Sequence, residues 1–445
     1  MFALRLTSCL LILLAIATHC LAQDAPWLRG DALRSFEDLP VLEIRIEGNA
    51  STRDEAVLRE LGVFPSEAFK LERLRADLRF LEGLGLFLTT DARARREGEG
   101  LLLVLELEER SRASNELIYP TLEFDEDMRF KAGLTFRNRN LRGMREDLGI
   151  SRTMGWEDSI VFRLTRPWFG SFPLEHSVSY SFRELDAEDV SDFRDENLSI
   201  SLMLPLDRRH PREHRFVLGG GMGWRRQEDE GDIWNERLHR LLLGYSHDGR
   251  DSYFRPRGGS RFDLLLTLHH PRLESTRSLR RWLLAVSHYH SLDAAGVLAG
   301  RLELSIQQGD LYHRGAFSLG GLHSVRAWGP GHFSGWEGHD QIGGAQGRNR
   351  LVTQMEWRRT LFGQQRWKLT RAWTLDFEGE VLLFLDAGLL WREGSPFREE
   401  VAGDRALGFG GGFRIYSPVG DVLRVELGFN PEGGTFIHVG NALPF

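Results

Sequence analysis

The chain has 445 residues, of which 41% are hydrophobic and 27% are charged, and its formal net charge is −7. This length can bury one large folded unit and a small one. The negative balance argues against a dedicated nucleic-acid binder, which normally concentrates basic residues on one face. Beyond the N-terminus no apolar run approaches the roughly 20 residues of a membrane-spanning helix, so a helical membrane protein is excluded. A strand-built membrane protein is not excluded, because alternating strands average to ordinary hydropathy.

The N-terminal segment has the features of a secretory signal. A basic residue precedes an apolar run, and a small residue, Ala22, ends the pattern. We predict a signal peptide over residues 1–22, cut after Ala22. Both cysteines, Cys9 and Cys20, lie inside it, so the remaining chain needs no disulfide. Residues 23–39 are polar and are predicted to form a linker.

Residues 40–110 show the pattern of a small α/β domain of order β-α-α-β-β. Alternating residues predict strands, leucines at spacings of three and four predict a helix, and glycines mark the turns. The predicted elements are a strand over 42–49, a helix over 52–61, a helix over 71–81 and strands over 87–95 and 101–109. Thr52 with Glu55 forms a capping-box pattern at the first helix. Gly48 and Asn49 form the first turn.

From residue 113 to the C-terminus the helical period disappears. Residues 113–445 contain about 16 alternating segments, separated by turns rich in Gly, Asp and Pro. An even number of short alternating strands is typical of a bacterial transmembrane β-barrel. The predicted fold class is therefore mainly β, with a 16-stranded antiparallel transmembrane barrel behind one small α/β domain.

Two apolar segments of the barrel region each carry one charge. A glycine-rich loop over 317–328 contains Arg326, and a strand with the sequence Phe384-Leu385-Asp386-Ala387-Gly388 contains Asp386. The loop lies in the longest connection, about 309–350, which follows the eleventh predicted strand and is extracellular if the first strand rises from the periplasm. An unpartnered buried charge costs several kcal/mol, so we expect the two charges to pair.

These segments resemble the two signature motifs of the BamA/TamA superfamily of outer-membrane proteins, of the bacterial surface antigen type. In that family a V-R-G-F/Y loop tip folds back into the barrel and meets an F-x-D-x-G strand. The sequence departs from the motif at Ala327, where the family usually has glycine. The resemblance implies a lock between loop and barrel, formed by Val325, Arg326, Trp328, Phe384, Asp386 and Gly388. In a wet lumen such an ion pair contributes under about 1 kcal/mol, and shielding by aromatic neighbours would raise that value.

Residues 40–110 resemble a POTRA domain through the turn at Gly48 and Asn49 and the Gly-Leu-Phe sequence after the second helix. An unrelated small α/β domain is the alternative. Further turns resemble family motifs, among them 140–143, 166–168 and 248–258. The last strand is predicted to carry the aromatic-ended signal by which barrel clients are recognised, with one face formed by Ile437, Val439, Leu443 and Phe445.

No catalytic motif is present: neither a G-x-S-x-G nucleophile elbow nor a G-x-x-x-x-G-K-S/T phosphate loop occurs. The histidine pairs 269–270 and 288/290 fall at opposite ends of neighbouring predicted strands, so interface positions are favoured over a metal site. The glycine cluster 408–412 is interpreted as a barrel bend. We expect a protein that is not an enzyme and has no cofactor or metal.

The resemblance implies a factor that receives unfolded outer-membrane or secreted polypeptides in the periplasm and inserts or transports them through a barrel seam or pore. The expected partners are these clients, outer-membrane lipids and a periplasmic accessory protein, and no nucleic acid. A two-partner-type secretion pore is one alternative, although such relatives usually carry two POTRA domains. A passive structural barrel or porin is the other.

Overall fold

The computed structural model describes residues 26–110, 116–124, 130–155, 157–187, 190–207, 213–229, 232–253, 255–311, 316–329, 348–368, 374–391, 404–416 and 423–441. The predicted signal peptide over 1–22, with both cysteines, lies outside the described residues. The same holds for Leu443 and Phe445. Among the described residues, no helix is long and apolar enough to cross a membrane.

The N-terminal unit is a four-stranded sheet covered by helices. Its elements are β1 (Leu28–Arg29), β2 (Val41–Glu47), α1 (Asp54–Leu58), α2 (Leu71–Gly83), β3 (Phe87–Glu97) and β4 (Gly100–Glu109). The strand order is β1-β3-β4-β2, with β2 parallel to β4 and the other pairs antiparallel. Leucines at three- and four-residue spacings on α2, including Leu74 and Leu81, pack against the inward residues of β4. The β-α-α-β-β order predicted for residues 40–110 is therefore present.

The predicted linker over 23–39 is wrong for its described part. Residues 28–36 form β1 and a 3-10 helix, Gly30–Phe36, which belong to the domain. Leu33 and Phe36 are buried in its hydrophobic core because the 3-10 helix places side chains three residues apart on one face. A polar segment with only two core residues gives no periodic signal, so composition alone indicated a linker.

The capping box predicted at Thr52 does not form. Helix α1 begins at Asp54 after Arg53, whose side chain makes no capping hydrogen bond, and it ends at Leu58. The Thr52 backbone N–H donates to Glu109 Oε1 at 2.9 Å, and its hydroxyl accepts from Asn140 Nδ2 at 2.7 Å. Tertiary partners on β4 and on the barrel therefore replace the local cap.

The C-terminal unit is a closed antiparallel barrel in which neighbouring strands follow one another along the chain. Its strands are β5 (Glu116–Phe124), β6 (Phe130–Leu141), β7 (Glu146–Gly155), β8 (Asp158–Arg166), β9 (Glu175–Ala187), β10 (Val190–Pro205), β11 (His214–Asp229), β12 (Asp232–Arg237), β13 (Arg240–Asp248), β14 (Gly259–His269), β15 (Leu279–Ser291), β16 (Gly296–Gly309), β17 (Asn349–Lys368), β18 (Thr374–Trp391), β19 (Asp404–Tyr416), β20 (Leu423–Phe429) and β21 (Thr435–Asn441). Strands β12 and β13 both pair with β11 and form one interrupted strand. The 16 strand positions predicted from the sequence are confirmed.

Along the barrel strands, successive side chains alternate between the outer and the inner surface, and the two surfaces differ in polarity. On β20 the residues alternate strictly between exposed and buried. Leu427 and Phe429 are exposed on the outer surface, whereas Arg424 and Glu426 are buried in the interior. Apolar side chains outside and charged side chains inside are the arrangement of a barrel surrounded by lipid.

The N-terminal domain contacts the barrel at one end. Arg53 N–H donates to the Gly143 carbonyl at 2.9 Å in the turn between β6 and β7. Glu60 accepts from Trp168 Nε1 at 2.9 Å, in the turn between β8 and β9. Because antiparallel strands alternate in direction, the connection between β16 and β17 leaves the barrel at the opposite end. That connection is the one that carries Arg326.

Candidate functional site

The tip of the connection between β16 and β17 lies inside the barrel. Val325 to Trp328 form a turn in which Trp328 N–H donates to the Val325 carbonyl at 3.2 Å. Trp328 Nε1 also donates to the Leu407 carbonyl of β19 at 2.9 Å. Leu319, Val325, Ala327 and Trp328 are buried in one cluster with three barrel-wall residues, Val352, Leu390 and Ala406. Apolar packing thus fixes the tip against β17, β18 and β19.

Arg326 is the residue through which the tip meets the wall. Its Nε and Nη2 donate to Asp386 at 2.7 and 2.6 Å, which is the bidentate geometry of a strong arginine–carboxylate pair. Its Nη1 donates to Glu356 at 2.5 Å and to Glu426 at 3.2 Å. Its guanidinium carbon lies 3.9 Å from the ring centroid of Phe384. The structure therefore brings Arg326, Phe384 and Asp386 together, as the resemblance implied.

Sequence reasoning missed most of the network around this pair. Glu356 also accepts from Arg358 at 2.6 Å and from Arg414 at 2.7 Å. Glu426 accepts from Arg414 and Arg424 at 2.9 and 2.7 Å. Glu380 completes the set with a contact of 3.6 Å to Arg414. The cluster joins four arginines (326, 358, 414 and 424) to four carboxylates (356, 380, 386 and 426), so its formal charges cancel.

Barrel side chains also bind the backbone of the tip. Gln354 Nε2 donates to the Ser324 carbonyl at 2.8 Å. Asn430 Nδ2 donates to the Ala327 carbonyl at 3.1 Å, and His438 Nε2 donates to the Arg326 carbonyl at 2.5 Å. These bonds satisfy polar groups that the fold has removed from water. They come from β17, from the connection after β20 and from β21, so the tip bridges a wide arc of the wall.

Glycines in the wall make room for the tip. A Cβ at Gly388 would lie 2.6 Å from Leu319 Cδ2, and a Cβ at Gly408 would lie 2.3 Å from Ala327 Cβ. A Cβ at Gly428 would lie 2.7 Å from the Arg326 carbonyl oxygen. Gly408, in the cluster 408–412 that was interpreted as a barrel bend, therefore also allows close approach of the tip. In the sequence, a glycine at an inward-facing position of a strand is the signal that another part of the chain approaches the backbone there.

Ala327, where the sequence departs from the family motif, needs no glycine. It is fully buried, and it is not among the described non-glycine residues that have positive φ. An L-residue is therefore unstrained at this position of the turn. Gly408, opposite on β19, provides the space that a smaller residue at 327 would otherwise provide.

The surroundings of the ion pair are dry. Arg326 and Asp386 have 0% of their surface exposed, and the Phe384 ring lies against the guanidinium of Arg326. The sequence left open whether the ion pair lies in a wet lumen or is shielded by aromatic neighbours, and the geometry matches the shielded setting. In such a setting the loss of one partner costs about 3–5 kcal/mol, because the other charge stays buried.

Residues 140–433 match the Omp85 superfamily domain. The chain belongs to the Omp85 superfamily. Residues 40–110 match the POTRA family described as surface antigen variable number repeat. This Omp85 protein is therefore an outer-membrane protein whose POTRA domain lies in the periplasm, and the connection that carries Arg326 starts at the extracellular end. No curated protein matches the chain.

Solved structures share the fold at low sequence identity. CdiB from Escherichia coli aligns with a TM-score of 0.58 and 13% identity over 93% of this chain and 79% of that chain. BamA from Haemophilus ducreyi lacking POTRA domains 1-3 aligns with a TM-score of 0.53 and 16% identity, over 90% and 83%. At these identities the likeness establishes the fold alone.

The remaining predicted site residues lie apart from the lock of this Omp85 barrel. Gly48 has φ of 90° and lies against the Leu107 carbonyl, where only glycine fits. Asn49 Nδ2 donates to the Thr52 carbonyl at 2.8 Å and closes the POTRA turn. Ile437 and Val439 lie on the outer face of β21, with Ile437 exposed. The recognition role given to this strand stays a prediction.

Within the described part of the Omp85 chain, no group of three or more His, Cys, Asp or Glu residues could hold a metal ion. His269 is the last residue of β14. His288 and His290 lie near the end of β15, which is at the opposite end of the barrel. The four histidine positions of the sequence pattern are thus divided between the two ends.

Proposed function

We propose that this protein is a non-enzymatic assembly factor that accepts polypeptide clients in the periplasm and inserts them into the outer membrane through the seam between β5 and β21. Handling of polypeptides, by insertion or by translocation, goes with membership of the Omp85 superfamily. The choice of insertion at the seam rests on the locked tip. The tip lies inside the barrel, and Arg326 holds it to three carboxylates of the wall, so the tip takes up space that a polypeptide crossing the lumen would need.

The seam between β5 and β21 resembles the edge of an open β-sheet. Among the described residues, β21 and β5 make the least extensive contact of any neighbouring barrel strands. Pro120 lies inside β5 and has no N–H to donate to a neighbouring strand. In lipid each unsatisfied backbone group costs several kcal/mol, so exchange of this pairing for a client strand is far cheaper than exposure.

A two-partner-type secretion pore is the second candidate function. Both CdiB structures have the same barrel fold as this protein. Secretion through the lumen requires the tip to move out, whereas insertion at the seam does not. A reversible tether on the tip therefore separates the two functions.

Val325→Cys with Gly388→Cys supplies this tether. A Cβ at Gly388 would lie 2.9 Å from Val325 Cγ2, so a cystine fits between the two positions. The same Cβ would lie 2.6 Å from Leu319 Cδ2, so Gly388→Cys alone, which carries this overlap and forms no bond to the tip, is the control for both redox states. Residues 26–445 contain no cysteine that could compete. The variant is tested in a depleted strain, oxidised and reduced, with an inventory of outer-membrane and secreted proteins as readout.

Broad recovery of outer-membrane proteins in both redox states supports insertion. Recovery of one secreted protein in the reduced state alone supports the secretion pore. A depleted strain that loses no outer-membrane or secreted protein contradicts both functions and leaves the passive barrel.

A further inference from the structure

The hairpin formed by β17 and β18 extends past the end of the barrel wall. Pairing of β17 with β16 ends at Arg359, and pairing of β18 with β19 begins at Glu378. In the described part of the chain, residues 362–368 of β17 and 374–377 of β18 pair with each other and with no third strand. These two segments, called the ribbon below, lie on the periplasmic side of the barrel.

The ribbon carries a row of aromatic rings on one face. Trp367 follows Gln365 by two residues, and Gln365 lies opposite Phe377, so these three side chains share a face. The ring centroids of Trp367 and Phe377 are 4.6 Å apart, and those of Phe377 and Phe362 are 5.9 Å apart. Phe362 lies 6.4 Å from Phe413 of β19. The row therefore runs without a break from the barrel wall into the ribbon.

This aromatic face continues the lipid-facing surface of the barrel. Phe413 points outward on β19, next to the inward and fully buried Arg414. On β18, Phe377 precedes the wall residue Leu383 by six positions, and an even separation places two residues on the same face of a strand. Trp367 is 59% exposed, as is Leu383. The ribbon thus presents the same kind of surface that the wall presents to lipid.

The opposite face of the ribbon contacts protein. Arg366, which alternates with the aromatic-face residues, donates to Glu108 of the POTRA strand β4 at 3.2 Å. At the base of the ribbon, Arg255 from the turn after β13 contacts Glu378 of β18. Polar contacts to the POTRA domain and to a periplasmic turn therefore orient the ribbon and leave its aromatic face turned outward.

The wall above the ribbon already has the length of a membrane span. Residues 351–359 of β17 match the roughly 9–11 residues that a transmembrane strand needs, so the ribbon starts where the hydrocarbon core ends. The register of β17 shifts between Thr360 and Phe362 and again between Phe362 and Gln365. Such bulges bend a strand away from its course. An aromatic face at this depth lies at the level of the lipid headgroups, where barrel proteins concentrate aromatic residues.

We propose that the ribbon anchors the protein to the periplasmic leaflet of the outer membrane, with the rings of Phe362, Trp367 and Phe377 among the phospholipid headgroups. The contact is made by aromatic rings, so it needs no particular headgroup. Through Arg366 and Glu108 the same anchor holds the POTRA domain close to the membrane. The anchor serves an insertion factor, a secretion pore or a passive barrel equally.

The test places a fluorophore at Gln365→Cys, on the aromatic face, in the full chain reconstituted into nanodiscs of phosphatidylethanolamine and phosphatidylglycerol. Residues 26–445 contain no native cysteine. Nitroxide groups on the lipids, either at the headgroup or in the middle of the acyl chain, quench a fluorophore that lies close to them. Leu383→Cys on the lipid-facing wall and Glu99→Cys on an exposed POTRA turn are the two reference positions.

We expect the headgroup nitroxide to quench the label at Gln365 several-fold more than the label at Glu99, and the acyl-chain nitroxide to quench the label at Leu383 most. Trp367→Glu in the Gln365→Cys chain puts a charge on the aromatic face and should lower the headgroup quenching to the Glu99 level. Trp367→Phe keeps an aromatic ring and should retain the quenching. Because the ribbon lies outside the wall, every variant should keep the heat-modifiable gel mobility that reports barrel folding.

Headgroup quenching at Gln365 that is no stronger than at Glu99 overturns the anchor and leaves the aromatic face open to a protein partner in the periplasm. Quenching that Trp367→Glu does not change overturns it too, because the aromatic face would then not be the part in contact with lipid. Strongest quenching by the acyl-chain nitroxide would place the ribbon inside the hydrocarbon core and also contradicts the anchor. None of these results bears on the proposed function, which is judged by the inventory of outer-membrane and secreted proteins.

Discussion

Arg326 and Asp386 are joined by three hydrogen bonds, one of which comes from the backbone. The N–H of Arg326 donates to Asp386 Oδ2 at 3.0 Å, while Nε and Nη2 donate to the two carboxylate oxygens. The carboxylate therefore fixes both the side chain and the main chain of the loop tip. A lysine could satisfy the charge but not this planar geometry.

Arg326→Ala is expected to release the loop tip while the barrel stays folded. The variant leaves Asp386 buried without its partner, which costs about 3–5 kcal/mol and is avoided when the tip moves and water enters. Limited proteolysis of the loop in the intact barrel measures the release, and heat-modifiable gel mobility reports barrel folding. Arg348→Ala, at the exposed base of the same connection, is the control.

The double variant Arg326→Ala with Asp386→Ala is expected to lose less than the sum of the single variants, because no charge is left unpaired. Wild-type activity in each correctly inserted single variant would remove the lock from the mechanism. Additive losses would show that the two residues act separately.

Gly408→Ala is expected to displace the tip by steric overlap. A Cβ there would lie 2.3 Å from the Cβ of Ala327, well inside van der Waals contact. Ala327→Gly removes the opposing methyl group, so the double variant should regain protease resistance of the loop. Failure of Ala327→Gly to rescue Gly408→Ala would mean that the overlap is not the cause of the displacement.

The lock could be predicted in part because each half carries one charge in an apolar segment. Arg326 and Asp386 were therefore identifiable from the sequence alone. Glu356, Arg414 and Glu426 were not, because many inward positions of a barrel are charged. Which inward-facing charged residue reaches the loop tip depends on the stagger of neighbouring strands. The sequence of a single strand does not specify that stagger.

The barrel strands were predictable because their period of two extends over hundreds of residues. Short elements held by tertiary contacts were not. Thr52 fits a capping box, yet Glu109 and Asn140 are its partners, from strands far away in sequence. Leu33 and Phe36 form too short a pattern to distinguish a core segment from a linker.

Gly48→Ala is expected to destabilise the POTRA domain. The loss should exceed the roughly 1–2 kcal/mol that it costs to hold a non-glycine residue in the left-handed backbone conformation. Gly48 has φ of 90°, and a Cβ would lie 1.9 Å from the Leu107 carbonyl oxygen. Gly98→Ala is the matched control, since Gly98 has φ of 56° and open space around it. Thermal proteolysis of the full chain compares the two variants, and equal losses would exclude the steric contribution.

Contact between the POTRA domain and the barrel is expected to weaken as pH rises. Burial raises the pKa of Glu60, and Arg145 and the Trp168 N–H only partly offset this effect. Docked Glu60 therefore holds its proton more tightly than undocked Glu60. Docking is strongest below the ordinary glutamate pKa of about 4.3 and is lost progressively as pH rises through the raised value.

Glu60→Gln removes the titration and keeps an oxygen that can accept from Trp168 Nε1. The variant is therefore expected to dock independently of pH. Spin labels at Glu99→Cys and Leu292→Cys, on exposed turns of the two domains, report the interdomain distance between pH 4 and 8. The wild-type distribution should broaden toward high pH, and that of Glu60→Gln should not. Identical broadening in both proteins would assign the pH response to a different group.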